Sequence, residues 1–320
     1  MDKIDQKIIK ELLLNSRIPL NQLGKKIRVG REVVLYRMNR MFKNGIIKNF
    51  YAVVNTGALG FFRYSIFVQL KNVTKEKEKE IFEFFEKHKA TTYMSSLIGR
   101  WNFAFDMLAK SRKHLNQMIK DILSKFSNYI KKYVIIETTT EEEFYPTKLV
   151  GMKSGLKAHT YSEEKQSIDS KDRKILRLLS NNSRMSYAEL SKKVGLSANA
   201  IRYKIKEMQI KGIIIGYSIF LDIKKIGRII HNLQIRISNP EVENKIKSFL
   251  REDKRALYFY KYVGNENWDF DIGIIVRNEP EVRDFLHDLR ENFGEDMEFN
   301  DLYLILDEGK PYLPEIIFED

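Results

Sequence analysis

The sequence predicts an α+β fold built from two copies of one unit in a single chain. Three observations support this: the chain resembles itself at a fixed offset, the first part of each copy has helical periodicity, and the rest alternates strand and helix patterns. A length of 320 residues, with 43% apolar and 31% charged residues, fits a soluble globular chain with several domains.

The duplication is clearest in the first 60 residues of each copy. A shift of 167 residues aligns Asp2–Gly60 with Asp169–Gly227 without a gap, and 17 of these 59 positions are identical. The likeness then becomes looser and aligns three further pairs: Gly99 with Gly264, Asn102 with Asn267, and Phe105-Asp106 with Phe270-Asp271.

The first 50 to 55 residues of each copy predict three helices and then a strand. In copy one, apolar residues recur at helical spacing in three stretches, represented by Ile8, Leu23 and Val34, and copy two repeats this at the aligned positions. A glycine, Gly45 or Gly212, follows each third helix, as a C-terminal cap before a strand requires.

The rest of each copy predicts the order strand, helix, strand, strand, helix, strand. In copy one the strands lie near 62–70, 91–98, 103–109 and 132–139, with helices near 75–88 and 112–126. In copy two the strands lie near 229–237, 256–263, 268–276 and 299–307, with helices near 240–252 and 280–293. This order makes a four-stranded antiparallel sheet with both helices on one face, the ferredoxin-like arrangement.

The second face of each sheet, which we assign to residues such as Ile66, Val68 and Leu70, is apolar and must be covered. The matching sheet of the other copy is the nearest cover, so we expect the sheets to pack face to face as an intrachain pseudo-dimer. The expected segments are winged helix-turn-helix domains at 1–55 and 168–222, ferredoxin-like domains at 60–146 and 227–320, and a linker at 147–167.

Composition excludes several kinds of site. The chain has no cysteine, and its five histidines are scattered singly, so we expect no metal, no cofactor and no catalytic residues. No run is apolar enough to span a membrane, and the first residues lack the apolar segment of a signal peptide. We therefore expect a cytoplasmic protein.

The positive charge lies in the helical segments. The whole chain carries a net charge of +13, whereas residues 1–50 alone carry +8 and residues 168–217 carry +7, so the remainder sums to −2. A surface that binds a polyanion concentrates charge where the nucleic acid docks, which points to double-stranded DNA as the partner. Solvated helix faces are the alternative explanation.

The third helices present polar residues outward when their apolar residues face inward. Forked donors, amides and ammonium groups on such a face are suited to base edges and phosphates. The predicted DNA-contacting residues are Arg31, Glu32, Leu35, Tyr36, Arg37, Asn39 and Arg40 in copy one, and Ser197, Ala198, Asn199, Arg202, Tyr203, Lys204 and Lys206 in copy two. Tyr36 and Tyr203 are equivalent, and either a phosphate contact or packing at the domain edge explains them.

The two copies are not equivalent as DNA readers. Copy one has Gly30 where copy two has Ser197 as the N-cap of the third helix, and the outward residues differ. We therefore expect an asymmetric DNA site with unlike half-sites about one helical turn apart.

Short motifs in the helical segments form a recognisable signature. In copy two they are Ile168 to Leu176, Asn182-Ser183-Arg184, Val194-Gly195-Leu196-Ser197 and Gly212 to Tyr217, and copy one matches at Asp2, Asp5, Ile8, Asn15-Ser16-Arg17 and Gly45-Ile46-Ile47 but departs at Arg28-Val29-Gly30. Through these residues the chain resembles the Lrp/AsnC (feast/famine) transcriptional regulators. The resemblance implies a covalent pseudo-dimer that binds DNA through its third helices, including Arg37 and Lys204 at the position where the family usually has Arg. It also implies that the ferredoxin-like domains are effector and oligomerisation domains.

The resemblance also implies an amino-acid effector site, near a Gly-x-x-Asp turn between the second and third sheet strands. The corresponding turns here are Gly99-Arg100-Trp101-Asn102 and Gly264-Asn265-Glu266-Asn267, and both have Asn in place of Asp. An amide gives up the charge pairing that a carboxylate offers to a ligand's ammonium group. A tight turn with tryptophans packed at an interface is the alternative, and further self-association of pseudo-dimers is a related expectation.

Two other functions stay open at this point. Tetrapyrrole (siroheme) decarboxylases share this two-domain fold, but neither turn contains the closely spaced His and Arg that would bind carboxylates and donate protons. An architectural protein that binds DNA through charge alone is the other alternative.

Overall fold

The computed structural model describes residues 1–143, 159–160, 165–264, 266–309 and 313–318, and most of the predicted linker at 147–167 lies outside these ranges. Copy one contains α1 (Lys3–Leu14), α2 (Leu20–Ile27), α3 (Arg31–Lys43), β1 (Ile47–Val54), β2 (Phe62–Leu70), α4 (Lys75–Lys87), β3 (Thr91–Ile98), β4 (Phe103–Ala109), α5 (Arg112–Phe126) and β5 (Ile130–Glu143). A short strand, β6 (His159–Thr160), follows.

Copy two repeats this order with α6 (Ser170–Asn181), α7 (Tyr187–Val194), α8 (Ala198–Ile210), β7 (Ile214–Leu221), β8 (Ile229–Ile237), α9 (Glu243–Glu252), β9 (Ala256–Val263), β10 (Phe270–Val276), α10 (Glu279–Phe293) and β11 (Met297–Gly309). The predicted α+β fold, with a three-helix segment and a βαββαβ segment in each copy, is confirmed. The boundaries drawn between domains stay a prediction.

The helices begin and end where local chemistry satisfies their free backbone groups. Asp2 and Asp5 form a capping box at the start of α1, and Asp169 and Asp172 form the equivalent one at α6. After α3, Gly45 has a φ of +67°, which glycine adopts without strain, and the amide of Ile46 donates to the carbonyl of Met41 at 2.9 Å.

The wing strands of the two copies pair with each other. β1 and β7 form a two-stranded antiparallel ribbon, in which Phe50 lies opposite Ile219 and Ala52 lies opposite Tyr217. Neither strand has another partner among the described residues. The ribbon therefore joins the two helix-turn-helix segments directly.

Each strand of the ribbon begins in the core of its own copy and ends in a core that it shares with the other. Ile47 packs with the helices of copy one, whereas Ala52 belongs to the buried cluster around Ile175 of copy two. In the reverse direction, Tyr217 packs with copy two, whereas Ile219 belongs to the buried cluster that contains the α1 residues. The two helical segments thus complete each other's hydrophobic cores.

A reciprocal polar contact holds the helical segments together at the loops after α1 and α6. The buried hydroxyls of Ser16 and Ser183 lie 2.6 Å apart. Arg184 donates to the carbonyl oxygens of Ser16 and Ile18 at 2.5 and 3.2 Å. Arg17 donates in the same way to the carbonyls of Ser183 and Met185. The repeated triplet Asn-Ser-Arg is therefore the seam between the copies.

The sheet strands form a closed ring of eight. Copy one has the order β3-β4-β2-β5 and copy two has β11-β8-β10-β9, as a ferredoxin-like unit requires, and the pairs β3–β11 and β5–β9 join the two sheets at both edges. The last strand of each copy is long enough to cross over: β11 pairs first with β8 and then with β3. The expected face-to-face packing is confirmed, and both edges are also hydrogen-bonded.

The predicted inner face of the first sheet was wrong. Ile66, Val68 and Leu70 point outward into the core with α4 and α5, where they pack near Phe85. The alternate residues of β2 point inward, and Phe67 lies in the buried cluster between the sheets. Because both sets are largely apolar at their centres, period-two alternation alone does not determine which set the helices cover.

The predicted alignment of β4 with β10 was also wrong. Phe103 pairs with Val68, and Phe270 pairs with Ile235, so Phe270 is the counterpart of Phe103, not of Phe105. The turn of copy two is therefore two residues longer. As a consequence Asp271 occupies the position of Ala104, and Asp106 has a glycine, Gly273, as its counterpart.

Replacement of Ile219 by alanine should destabilise copy one although the residue belongs to copy two. Ile219 is fully buried, so we expect the free energy of unfolding to fall by about 2–5 kcal/mol. Hydrogen exchange should show a greater loss of protection in α1 than in α6. Tyr203→Ala, at an exposed site, serves as a control with an effect within about 0.5 kcal/mol. A greater loss of protection in α6 would contradict the exchanged core.

Candidate nucleic-acid interface

Both third helices lie with their predicted inner residues buried and their outer faces in solvent. Val34, Met38 and Met41 are buried in α3, as are their counterparts in α8. Of the predicted contact residues, Leu35, Arg37 and Lys204 are half-buried, and the exposed ones are Arg31, Glu32, Tyr36, Asn39, Arg40, Ser197, Ala198, Asn199, Arg202, Tyr203 and Lys206. The structure therefore agrees with the inward and outward faces that the sequence predicts for α3 and α8.

The paired tyrosines are among the most exposed aromatic residues that the structure describes. Tyr36 is 66% exposed and Tyr203 is 69% exposed. These fractions disfavour packing at the domain edge, because a packed ring would lose most of its contact with water. A phosphate contact stays the prediction for both.

Three of the cations predicted to contact DNA already have carboxylate partners at the start of the first helix. Arg37 contacts Asp2 at 2.5 Å and Asp5 at 3.0 Å, and Arg40 contacts Asp5 at 2.8 Å. In copy two, Lys204 contacts the aligned residues Asp169 and Asp172 at 2.7 and 3.1 Å. These pairs fix the third helix against the first.

The same contacts lower the pKa values of the N-cap carboxyls. The hydrogen bond from Arg37 is the main cause that lowers the pKa of Asp2 to about 2. The hydrogen bond from Lys204 does the same for Asp169, whose pKa is also about 2. Sequence reasoning missed this role, although the identity of both aspartates in the two copies was a usable signal.

Other outward residues make no hydrogen bond or ion pair within the described part of the chain. In α8 these are Asn199, Arg202 and Lys206, and in α3 the residue is Asn39. Arg31, by contrast, contacts its neighbour Glu32. The outer face of α8 therefore offers an amide, a guanidinium and an ammonium group that are open to a ligand.

The turn before the third helix differs between the copies as predicted. Ser197 caps α8 by accepting a hydrogen bond from the amide of Ala200 at 3.2 Å, whereas Gly30 gives α3 no side-chain cap. Arg28 adopts a left-handed φ of +61°, a conformation that Gly195 adopts in copy two with a φ of +77°. Copy one therefore keeps the left-handed backbone conformation of copy two at this turn, although Arg28 is less suited to it than glycine.

The turns predicted to bind an effector connect neighbouring sheet strands and have a tight backbone geometry. Gly99 has a φ of +151°, and a Cβ there would lie only 2.9 Å from the Cβ of Tyr303. The side-chain oxygen of Asn102 accepts a hydrogen bond from the amide of Leu70 at 2.8 Å. Gly264 also has a positive φ, of +96°.

The predicted effector residues do not all lie on an open surface. Trp101 is buried between the sheets beside Trp268, with 6.2 Å between ring centroids, as the tight-turn alternative expects. Arg100, Glu266 and Asn267 are exposed, and Asn265 lies outside the described residues. Trp101 is thus a packing residue, whereas the exposed members stay candidates.

No cluster of three or more His, Asp or Glu residues suited to a metal ion occurs in the part of the chain that the structure describes. Among the described helices, none has the length and apolar character needed to cross a membrane.

Comparison with known proteins identifies a family profile and several relatives. A family profile described as the AsnC-type helix-turn-helix domain matches residues 1–41 and 168–209. The HTH-type transcriptional regulator LrpA of Pyrococcus horikoshii is 38% identical over 95 residues, which are 28% of this chain and 66% of that protein. An uncharacterised HTH-type transcriptional regulator of Pyrococcus abyssi is 31% identical over 146 residues, 44% of this chain and 94% of its own length. Less than half of this chain thus matches nearly all of that relative.

A solved structure matches the whole chain. The siroheme decarboxylase NirDL superposes with a TM-score of 0.65, covering 99% of this chain and 96% of that chain at 13% sequence identity. At this identity the similarity shows a common fold and not a common reaction.

The ion pairs between the first and third helices should make part of the stability depend on pH in acid. Both N-cap carboxyls have a pKa of about 2 when folded and about 4 when unfolded, so their contribution is complete above about pH 4 and disappears as the pH falls toward 2. The double variant Asp2→Asn with Asp169→Asn keeps an N-cap acceptor without the charge. It should lose less stability across this window in urea unfolding followed by circular dichroism.

The control for this measurement is Asp284→Asn, which removes an exposed carboxylate from α10. An equal loss of stability in the double variant and the wild type would show that the N-cap ion pairs do not contribute.

Proposed function

The chain belongs to the Lrp/AsnC family of DNA-binding transcriptional regulators, and from this premise we propose that α3 and α8 are the helices that enter the major groove. The observation that carries the proposal is the outer face of α8, where Asn199, Arg202 and Lys206 are exposed and have no partner among the described residues. Amide and guanidinium groups are the donors that read adenine and guanine edges.

The neighbouring charges are assigned to positioning. Arg37 and Lys204 hold the third helix through the N-cap aspartates, and their donors that remain free suit phosphate oxygens at the edge of the groove. We therefore assign sequence discrimination to the exposed residues and orientation to the ion-paired ones.

In this proposal one chain binds an asymmetric DNA site, because its two recognition helices differ. The outward residues of α3 include Glu32 and Asn39, whereas those of α8 include Asn199 and Arg202. A covalent pair of unlike modules has no reason to select a palindrome, because a palindrome reflects identical subunits. The preferred site is thus two unlike half-sites about one helical turn apart.

We also propose that the chain is a regulator without enzymatic activity, present in the cytoplasm where its DNA is. NirDL has been crystallised with an iron-uroporphyrin III analogue, a ligand rich in carboxylates. In the present chain the sheet strands and the β1–β7 ribbon surround an inner cavity. Its charged lining residues are Asp106, Asp271 and Glu308 with one arginine, Arg63, and such a lining disfavours a polyanion. Neither turn between the sheet strands contains a histidine.

An amino-acid effector at the turns stays part of the proposal. Arg100 and Glu266 are the exposed charged groups there. Ile98 and Val263, at the ends of β3 and β9, are 55% and 58% exposed and support further association of pseudo-dimers next to the turns.

Arg202→Ala should relax DNA sequence specificity. In a salt-titrated binding series, the wild type should prefer a specific site over random DNA by roughly 10³ or more. Loss of a guanidinium that contacts a base should cost about 1–3 kcal/mol on the specific site and much less on random DNA. Lys79→Ala removes one exposed positive charge from α4 and is the matched control. An unchanged preference in Arg202→Ala would remove this residue from the base-reading set.

Footprinting of the wild type should reveal an asymmetric site. Duplexes that carry either half-site twice, as perfect palindromes, should bind more weakly than the natural order, because one module then faces the wrong bases. A palindrome that binds as tightly as the natural site would contradict the proposal of unlike readers.

A further inference from the structure

The ring of strands encloses a cavity of about 290 Å³ that no part of the proposed DNA-binding function uses. One side of the cavity is formed by inward-facing residues of both sheets, such as Phe67 and Ile230. The other side is formed by the β1–β7 ribbon, including Ala52 and Leu221. An occupant would therefore contact the element that joins the two helix-turn-helix segments.

A buried carboxyl group faces this cavity with one oxygen satisfied and the other not. Asp271 is 2% exposed, and its Oδ2 accepts hydrogen bonds from Asn232 Nδ2 at 2.7 Å, Tyr262 Oη at 3.1 Å and Tyr303 Oη at 3.2 Å. Its Oδ1 has no hydrogen-bond partner among the described residues, and neither has Oδ1 of Asn232, which is also 2% exposed. Two buried acceptors thus lack a donor, a costly arrangement if nothing binds there.

The remaining charges of the cavity do not supply that donor. Arg63 contacts Asp106 Oδ2 at 2.5 Å, and Ser65 donates to Asp106 Oδ1 at 2.6 Å, so this guanidinium is matched by its own carboxylate. Tyr93 donates to Glu308 at 3.0 Å. Asp271 is left as a carboxyl group without a cation, and burial raises its pKa to about 7.

Aromatic rings form much of the wall. Phe67, Tyr258, Tyr260, Tyr262 and Tyr303 all line the cavity. The face of an aromatic ring attracts a cation, and the attraction grows when water is excluded. Aliphatic residues complete the lining and provide an apolar surface for the body of a ligand.

We propose that this cavity is a binding site for a small organic ammonium ion with an apolar body. The ammonium group donates to Oδ1 of Asp271 and Oδ1 of Asn232, and the apolar body lies among the rings. A metal ion fits less well, because the described residues bring no three His, Asp or Glu side chains together in metal-binding positions.

The site occurs once in each chain although the chain is duplicated. Asp271 has Ala104 as its counterpart in copy one, and Asn232 has Ser65. β10 pairs with β8 in the same register as β4 pairs with β2, so the difference lies in the residues alone: neither Ala104 nor Ser65 offers a carboxylate or an amide. The expected stoichiometry is therefore one ligand per chain.

The test is calorimetry of the full chain with 2-phenylethylammonium as the probe. We expect saturable binding with one site per chain and a Kd of about 1 mM or tighter. The matched probes are 2-phenylethanol, which is neutral, and 3-phenylpropanoate, which is anionic, and both should bind at least about tenfold more weakly, a difference of about 1.4 kcal/mol. Absence of binding by the ammonium probe, or equal binding of all three, would overturn the proposal.

Two substitutions test whether Asp271 and Asn232 bind the ammonium group. Asp271→Asn keeps the shape but removes the charge and should weaken the ammonium probe at least about tenfold, and Asn232→Ser, which introduces the residue of copy one, should also weaken it. Asp301→Asn is the control, because Oδ2 of Asp301 is likewise buried without a described partner, but this residue does not line the cavity. Unchanged affinity in Asp271→Asn would overturn the assignment.

If Asp271→Asn does not fold, a pH series on the wild type replaces it. The groups that face Asp271 are Asn232, Tyr262, Tyr303 and, more distantly, Asp106, and none of them is a cation. The ammonium probe requires the ionised carboxylate, so its affinity should rise with pH up to about 7 and then level off. A flat profile from pH 5 to 8 would contradict the site. This test does not depend on DNA, so its failure leaves the DNA-binding proposal untouched.

Discussion

The pairing of β1 with β7 is the contact on which the arrangement of both helix-turn-helix segments depends. Each strand leaves its own helical core and enters a core shared with the other copy, so neither segment buries its apolar surface alone. The seam around Ser16 and Ser183 repeats this dependence with buried hydroxyls and arginine donors. Because both connections are buried, the separation of α3 from α8 is set by packing and not by a linker.

The ring of eight strands joins the two ferredoxin-like segments in the same reciprocal way. The final strand of each copy pairs across the boundary with a strand of the other copy: β5 pairs with β9, and β11 pairs with β3. No edge strand of either sheet stays open at these two junctions, which removes the usual site of non-specific strand addition. Covalent duplication therefore produces, within one chain, what a homodimer achieves with two.

Fusion also allows the halves to differ, and some of the differences lie where ligands would bind. Arg202 in α8 has Leu35 as its counterpart in α3, and Ser197 has Gly30. In the cavity, Asp271 stands where copy one has Ala104. Positions that hold the copies together, such as Arg17 and Arg184, are identical instead. The polar seam of the two Asn-Ser-Arg triplets thus keeps the same residues in both copies, whereas α3 and α8 differ on their outer faces.

The sequence by itself determined the duplication, the order of helices and strands, and the outward faces of α3 and α8. These follow from local periodicity, caps and glycine positions, which act over a few residues and repeat in both copies. It could not determine which alternate residues of β2 face inward, nor which residues of β4 and β10 correspond, because Ile66 and Phe67 are both apolar and a turn can lengthen without changing the pattern. Tertiary structure alone decided the partners: β1 with β7, Arg37 with the N-cap aspartates, and Asp271 with two tyrosines and an asparagine. Such contacts join residues far apart in the chain, and their energies depend on distance and burial, which no local pattern records.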